Sequence, residues 1–284
     1  MALPPGRPRF SDDKPPPTAD IIRIPEHLED IPIATTKIYE RRQSRSEIDV
    51  LIQLEGPNLE HYPPWYQRAP LDLVMVVDIN NYYFDTDDFN LVQRAIMFVV
   101  RNIGPRDRLS IVSCTDPATR LTRLRPMDFP GQVDAQHAVG FFLQDGDPTS
   151  SFVDGVKIAT EILEDRLYKN PVASIIVLSN VISNGGSVGQ PRTMPVTENY
   201  PFPVHIFGVG QRRNDPVALY RVSLASRGTY SYVQSFELLE QAVAVCLGGL
   251  LSVVAQCRNT PVRAVHSHGS LLDANAYIHG IKRS

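Results

Sequence analysis

Cysteine is scarce in this chain: 284 residues hold three, Cys114, Cys246 and Cys257, at wide spacings. No Cys-x-x-Cys pair occurs, which excludes a structural zinc site of the finger or RING type. The three are expected to be buried thiols that pack as small hydrophobes. A surplus of positive charge is also lacking. With 28 Lys and Arg against 31 Asp and Glu the net charge is −3, and nucleic acid, which needs a basic face, is excluded as the main partner. No apolar run approaches the length of about 18 residues that a membrane span needs. Met1-Ala2-Leu3-Pro4-Pro5-Gly6 has no apolar signal-peptide core, and no Asn-x-Ser/Thr acceptor occurs. These absences point to a reducing, intracellular and cytoplasmic setting.

What is present is ordinary in amount. Apolar residues make up 43% and charged residues 21% of the chain, enough for one large domain or a medium one with attachments. Six of the 24 prolines fall within residues 1–19 beside Asp12-Asp13-Lys14, the composition of a disordered tail. Ile48 to Leu54 mostly alternates apolar and polar residues, which predicts a half-buried strand stopped by Gly56-Pro57. A stiff connector, His61-Tyr62-Pro63-Pro64-Trp65-Tyr66, carries the sole tryptophan.

The chain is organised around Leu71-Asp72-Leu73-Val74-Met75-Val76-Val77-Asp78. This nearly unbroken apolar run ends on an aspartate and predicts a central parallel strand buried on both faces. Asp85 to Asp88 open a helix, with Leu91, Ala95, Phe98 and Val99 at helical spacing before Gly104-Pro105. Leu109–Cys114 is the next strand. Helices are predicted over Val133–Gln144, with Val133, His137 and Phe141 on one stripe, and over Phe152–Leu167. Strand Ala173–Asn180, a loop rich in Gly, Ser and Pro, and strand Val204–Val209 follow. Helix Asp215–Ser226, strand Thr229–Val233 and helix Phe236–Val254 repeat the alternation. Strands and helices taking turns define an α/β fold, a doubly wound, mostly parallel central sheet with helices on both faces. Val262–His268 and Leu271 onward predict strands of a flanking β element that the chain begins and does not complete. The resulting map is a tail at 1–19, flanking strands and linker at 20–68, the main domain at 69–256 and the flanking element at 257–284.

Several catalytic patterns fail on context. Gly185-Gly186-Ser187-Val188-Gly189 matches a nucleophile elbow, but the serine lies past its strand and Gln190-Pro191 follows where a helix is required. Gly208-Val209-Gly210 lacks the third glycine of a dinucleotide fingerprint. The EF-hand likeness at Asp78 stops after five residues: Tyr83 replaces the turn glycine and Phe89 the bidentate glutamate. His266 and His268 alternate on one strand face with no third ligand nearby.

Ligand chemistry in doubly wound sheets collects where strands end, which puts Asp78, Asn80 and Tyr82 at the expected site. The order of elements and these residues resemble a von Willebrand factor type A domain over roughly Ala69 to Gln256. In that family the first strand ends in Asp-x-Ser-x-Ser, a second loop supplies a threonine and a third loop an aspartate, and together they hold Mg²⁺. Matched residue by residue, Asp78 stands at the family aspartate, while Asn80 and Tyr82 replace the two serines. Counting back from Gly155 places Ser150 at the threonine, or Thr149 with a shift of one, and Asn180 replaces the second aspartate.

The resemblance therefore implies a degenerate metal site at Asp78, Asn80, Tyr82, Ser150 and Asn180, with no cofactor expected. Mg²⁺ requires nearly octahedral oxygens and usually one or two carboxylates. An amide for an aspartate removes a charge, and a phenol puts its oxygen a ring's length too far out. The alternative is a weak Mg²⁺ site completed by a partner's carboxylate, with Asp145 or Asp147 returning charge. Longer words, Arg68-Ala69-Pro70-Leu71-Asp72-Leu73-Val74, Asp107-Arg108-Leu109-Ser110, Asn170-Pro171-Val172-Ala173-Ser174-Ile175-Ile176 and Cys246 to Val254, resemble plant ubiquitin ligases of the wavy-growth type. Those ligases join such a domain to a RING finger, for which three scattered cysteines are too few. The expected function is a non-enzymatic interaction module with a protein partner, related to substrate recognition by such ligases. Tyr82, Tyr83 and Phe84 are its expected aromatic anchors, beside Thr149, Ser150 and Asn180.

Overall fold

A computed structural model describes residues 35–42, 48–55, 69–79, 86–114, 117–142, 152–180, 200–210, 216–253, 261–265 and 271–275. The described residues fall into two units, one holding those from 70 to 250 and the other those from 35 to 69 and from 251 to 275. The smaller unit contains two antiparallel ribbons. One pairs β1 (Thr35–Arg42), which the sequence reading did not single out, with β2 (Ile48–Glu55). The other pairs β10 (Pro261–Val265) with β11 (Leu271–Asn275).

The larger unit is built on β3 (Leu71–Asp78), buried at every position. A strand rich in Val and Leu with no polar alternation has no face to offer water, and this one pairs in parallel on both sides. Its partners are β4 (Arg108–Ser113) and, across the sheet, β7 (Val172–Ser179). The order runs outward through β8 (Val204–Val209) to the edge strand β9 (Tyr230–Val233), both parallel. On the other flank the two-residue strands β5 (Thr119–Arg120) and β6 (Arg125–Pro126) pair antiparallel with β4. The strand order is β5-β4-β3-β7-β8-β9. Because β3 connects outward to β4 while β7 leads the other way, the winding direction reverses between β3 and β7.

Among the described residues five α-helices cover the sheet: α1 (Thr86–Asn102), α2 (Phe129–Phe142), α3 (Phe152–Asp165), α4 (Pro216–Ala225) and α5 (Leu239–Leu251). Val74, Val76, Ile175, Val177, Val204 and Ile206 point to one face, where they pack with Val156, Ala159 and Ile162 of α3 and Leu219 and Val222 of α4. Right-handed crossovers then place α1 on the opposite face. There the Arg94–Glu240 ion pair, at 3.3 Å, ties α1 to α5. α1 carries Asp87 and Asp88 in its first turn and Arg101 in its last, charges that favour its dipole.

Two helices depart from their expected form: α5 starts at Leu239, after a 3-10 turn at Phe236–Leu238, instead of at Phe236, and α2 differs more. α2 begins at Phe129, four residues before the predicted start, because Asp128 Oδ1 accepts the Gly131 N–H at 2.9 Å and caps the first turn. Its buried stripe is Gly131, Ala135, Ala138 and Val139; Val133 is only half-buried and His137 is exposed, so the predicted stripe was out of phase.

Candidate functional site

The reversal between β3 and β7 falls at their carboxyl ends, the place where open α/β sheets bind ligands. Strand register brings two of the expected residues together there. Asp78 closes β3 opposite Ser179, and Asn180 follows immediately, its N–H donating to the Asp78 carbonyl at 3.2 Å. The Asp78 side chain is buried, 3% exposed, and accepts a hydrogen bond from the Ser179 hydroxyl at 3.0 Å. Asn180 is half-buried. Asn80, Tyr82, Tyr83, Phe84, Thr149 and Ser150 lie outside the described residues, as do Asp145, Asp147, Ser187, His266 and His268.

Two neighbours of Asp78 were missed from sequence. Ser179 reads as one more small residue at the end of an apolar run, and only strand pairing aims its hydroxyl at Asp78. Cys114 follows β4, its N–H donating to the Val77 carbonyl at 2.9 Å. Its thiol is held well above its ordinary value, first by burial and then by the negative charges of Asp78 and Asp154. That thiol is therefore protonated, a small apolar group as expected for it. Cys246, half-buried on α5, is pushed up to about 12 by burial. Cys257 lies outside the described residues.

Gly155 explains how α3 reaches this edge. A Cβ there would run into Cys114 Sγ and would lie 2.6 Å from Val76 Cγ1. Only glycine lets the first turn of α3 sit against β3 and β4, which brings Asp154 to the site.

The described oxygen donors at this edge are the buried Asp78 carboxylate, the Ser179 hydroxyl, the Asn180 amide and the exposed Asp154 carboxylate. Among the described residues no group of three or more His, Cys, Asp or Glu side chains is placed to hold a metal ion. Only the Asp78 carboxylate is buried here, with one oxygen accepting the Ser179 hydroxyl, and a hard dication takes most of its charge compensation from carboxylates.

No protein-family model matches the chain. Among solved structures it is similar to a von Willebrand factor type A protein from Catenulispora acidiphila, with TM-score 0.57 and 11% identity over 75% of this chain and 46% of that one. It is also similar to the pilus adhesin SpaC from Lactobacillus rhamnosus GG, with TM-score 0.51 and 12% identity over 76% of this chain and 34% of that one. The chain thus has the von Willebrand factor type A fold.

Its relatives in sequence are plant proteins. It is 33% identical over 206 residues to the E3 ubiquitin-protein ligase WAV3 of Arabidopsis thaliana, covering 72% of this chain and 26% of that protein. It is 35% identical over 117 residues to the probable E3 ubiquitin-protein ligase WAVH2 of the same plant, covering 40% of this chain and 16% of that one. The chain spans about a quarter of the length of WAV3. No helix among the described residues is long and apolar enough to cross a membrane.

Proposed function

We propose that this chain is a protein-interaction module without catalytic chemistry of its own, and that it binds its partner at the carboxyl edge of β3 and β7 without a metal ion. The observation that carries this reading is the pair of strand tips at the reversal point. One tip holds a buried carboxylate engaged by Ser179 and the other an amide, Asn180. A divalent cation would find one buried carboxylate, one oxygen of which accepts the Ser179 hydroxyl, and an amide where a second buried charge would stand. Tyr82, Tyr83 and Phe84 follow Asp78 in the same connection and supply the aromatic anchors, with Asn80, Thr149 and Ser150 as polar contacts. By analogy with WAV3, the partner is a protein that a ubiquitin ligase of this type recognises, and the setting is intracellular.

Calorimetric titration with Mg²⁺ and with Mn²⁺ tests the metal-free reading. The expected result is no binding tighter than about 1 mM, the weak end for oxygen-ligand sites. A tighter constant that disappears in Asp78→Ala favours the other reading, in which Mg²⁺ binds and a partner carboxylate completes its shell. Replacing Tyr82, Tyr83 and Phe84 together by Ala is expected to abolish partner capture while the melting temperature is retained.

A further inference from the structure

The helix α4 carries apolar residues on both sides. Leu219 and Val222 are buried against the sheet, as a surface helix requires. Yet Val217, Tyr220 and Leu224, spaced i, i+3 and i+7, are 53%, 53% and 63% exposed on the opposite side. Tyr232 of the edge strand β9 is 56% exposed and lies on the sheet face that α4 covers, since Tyr230, two residues earlier, packs into the cluster holding Leu219 and Val222. Its hydroxyl donates to the Gly210 carbonyl at 3.2 Å, which fixes the ring beside the connection into α4. An exposed patch of apolar side chains at helical spacing is the signature of a surface that another element covers.

Charge and area select the occupant. From Pro216 to Gly228 the sequence holds two arginines, Arg221 and Arg227, both exposed, and no acid. A second copy of this chain would bring arginines against arginines. The four side chains present on the order of 400 Å² of largely apolar surface, about half of what each partner of a standard-size complex buries. One helix laid along α4 matches that area. We infer that α4 and Tyr232 form a docking face for an amphipathic helix of a partner protein whose apolar stripe is flanked by Asp and Glu. This face is distinct from the strand tips of β3 and β7.

Selection of a display library of amphipathic helical peptides, randomised at apolar and flanking positions, against the full chain tests it. The recovered peptides are expected to carry acidic flanks and to lose at least tenfold in affinity for Leu224→Asp. Arg221→Glu is expected to shift the preference to basic flanks. Both changes are on exposed positions and leave the melting temperature in place; Val217→Asp carries the same expectation as Leu224→Asp should either lower it. Peptides that bind all variants equally, a preference of the parent chain for basic flanks, or no recovered peptide at all would each overturn the inference. So would concentration-dependent dimerisation abolished by Leu224→Asp, which would assign the face to a second copy.

Discussion

At the scale of single residues, the surroundings decide what each polar group is for. Asp78 and Asp72 sit on the same buried strand, yet one accepts the Ser179 hydroxyl at the carboxyl edge and the other neutralises two arginines near the opposite edge. His205 shows how burial sets a pH response. Its ring contacts Thr229 Oγ1 at 2.9 Å, and burial lowers its proton affinity from 6.5 to about 4. Between those pH values the unfolded chain takes up a proton that the folded chain refuses. Stability that is fully present above pH 6.5 is therefore lost as the pH falls toward about 4. Because the ring is partly exposed, the loss from this group is on the order of 2 kcal/mol. Urea unfolding of the parent and of His205→Gln at pH 7.5 and pH 5 is expected to show a smaller pH dependence in the variant.

At the scale of elements, close approach dictates where glycine is indispensable. Gly155 was useful in the sequence as a landmark for counting, and the structure gives its reason: a side chain there would overlap Cys114 Sγ and Val76 Cγ1. Gly155→Ala gains about 1 kcal/mol in helix propensity but overpacks a buried contact at a cost of about 1–3 kcal/mol or more. The overlap wins, since neither neighbour is at the surface. A lower urea midpoint is expected for Gly155→Ala, with partial recovery when Cys114→Ala is added, because the Val76 contact remains. The end of α4 shows the same logic. Arg227 N donates to the Leu224 carbonyl at 3.1 Å and Gly228 N to the Ser223 carbonyl at 2.8 Å, a Schellman arrangement that puts Arg227 at φ 60°. Glycine stands one residue later, at Gly228, because a Cβ there would run into the Val204 backbone of β8.

At the scale of the whole molecule, the amino edge of the sheet is locked by a buried polar cluster. Arg108 donates to Asp72 through Nε at 2.7 Å and Nη2 at 2.6 Å, and to the Tyr168 carbonyl. Arg166 donates to the same carboxylate at 2.6 Å, and the Asn170 N–H at 3.0 Å. Burial lowers the proton affinity of Arg166 even though Asp72 opposes that shift. Asp107 joins the edge by accepting the Leu71 N–H at 2.9 Å and the Gly104 N–H at 2.6 Å. One carboxylate thus organises β3, β4 and the segment before β7. Removing its charge leaves two guanidiniums buried against a neutral group, so Asp72→Asn is expected to cost about 3–5 kcal/mol. Chemical denaturation measures this loss, which should exceed that of any surface variant. Three of the four words that carried the resemblance to the plant ligases contribute to this cluster: the one through Leu71 and Asp72, the one through Asp107 and Arg108, and the one beginning at Asn170. The recognisable sequence therefore marks the framework and lies away from the carboxyl edge, where the binding site is proposed.

The sequence by itself determined the alternation of strands and helices, because periodicity and burial act over a few neighbouring residues. It determined that β3 is central, since a run such as Leu71 to Val77 has no polar face to expose. The chemistry that the resemblance proposed for Asp78 and Asn180 was legible only as positions in a list. Tertiary structure alone decided that their strand tips are neighbours and that Ser179 holds Asp78. It decided likewise that Asp72 faces two arginines 36 and 94 residues away in sequence. It also revealed that α4 has a second, exposed apolar stripe, and it corrected the phase of α2. Hydrogen bonds and ion pairs between distant residues depend on register and packing, and a short apolar helix such as α2 does not specify from its own residues which side meets the sheet.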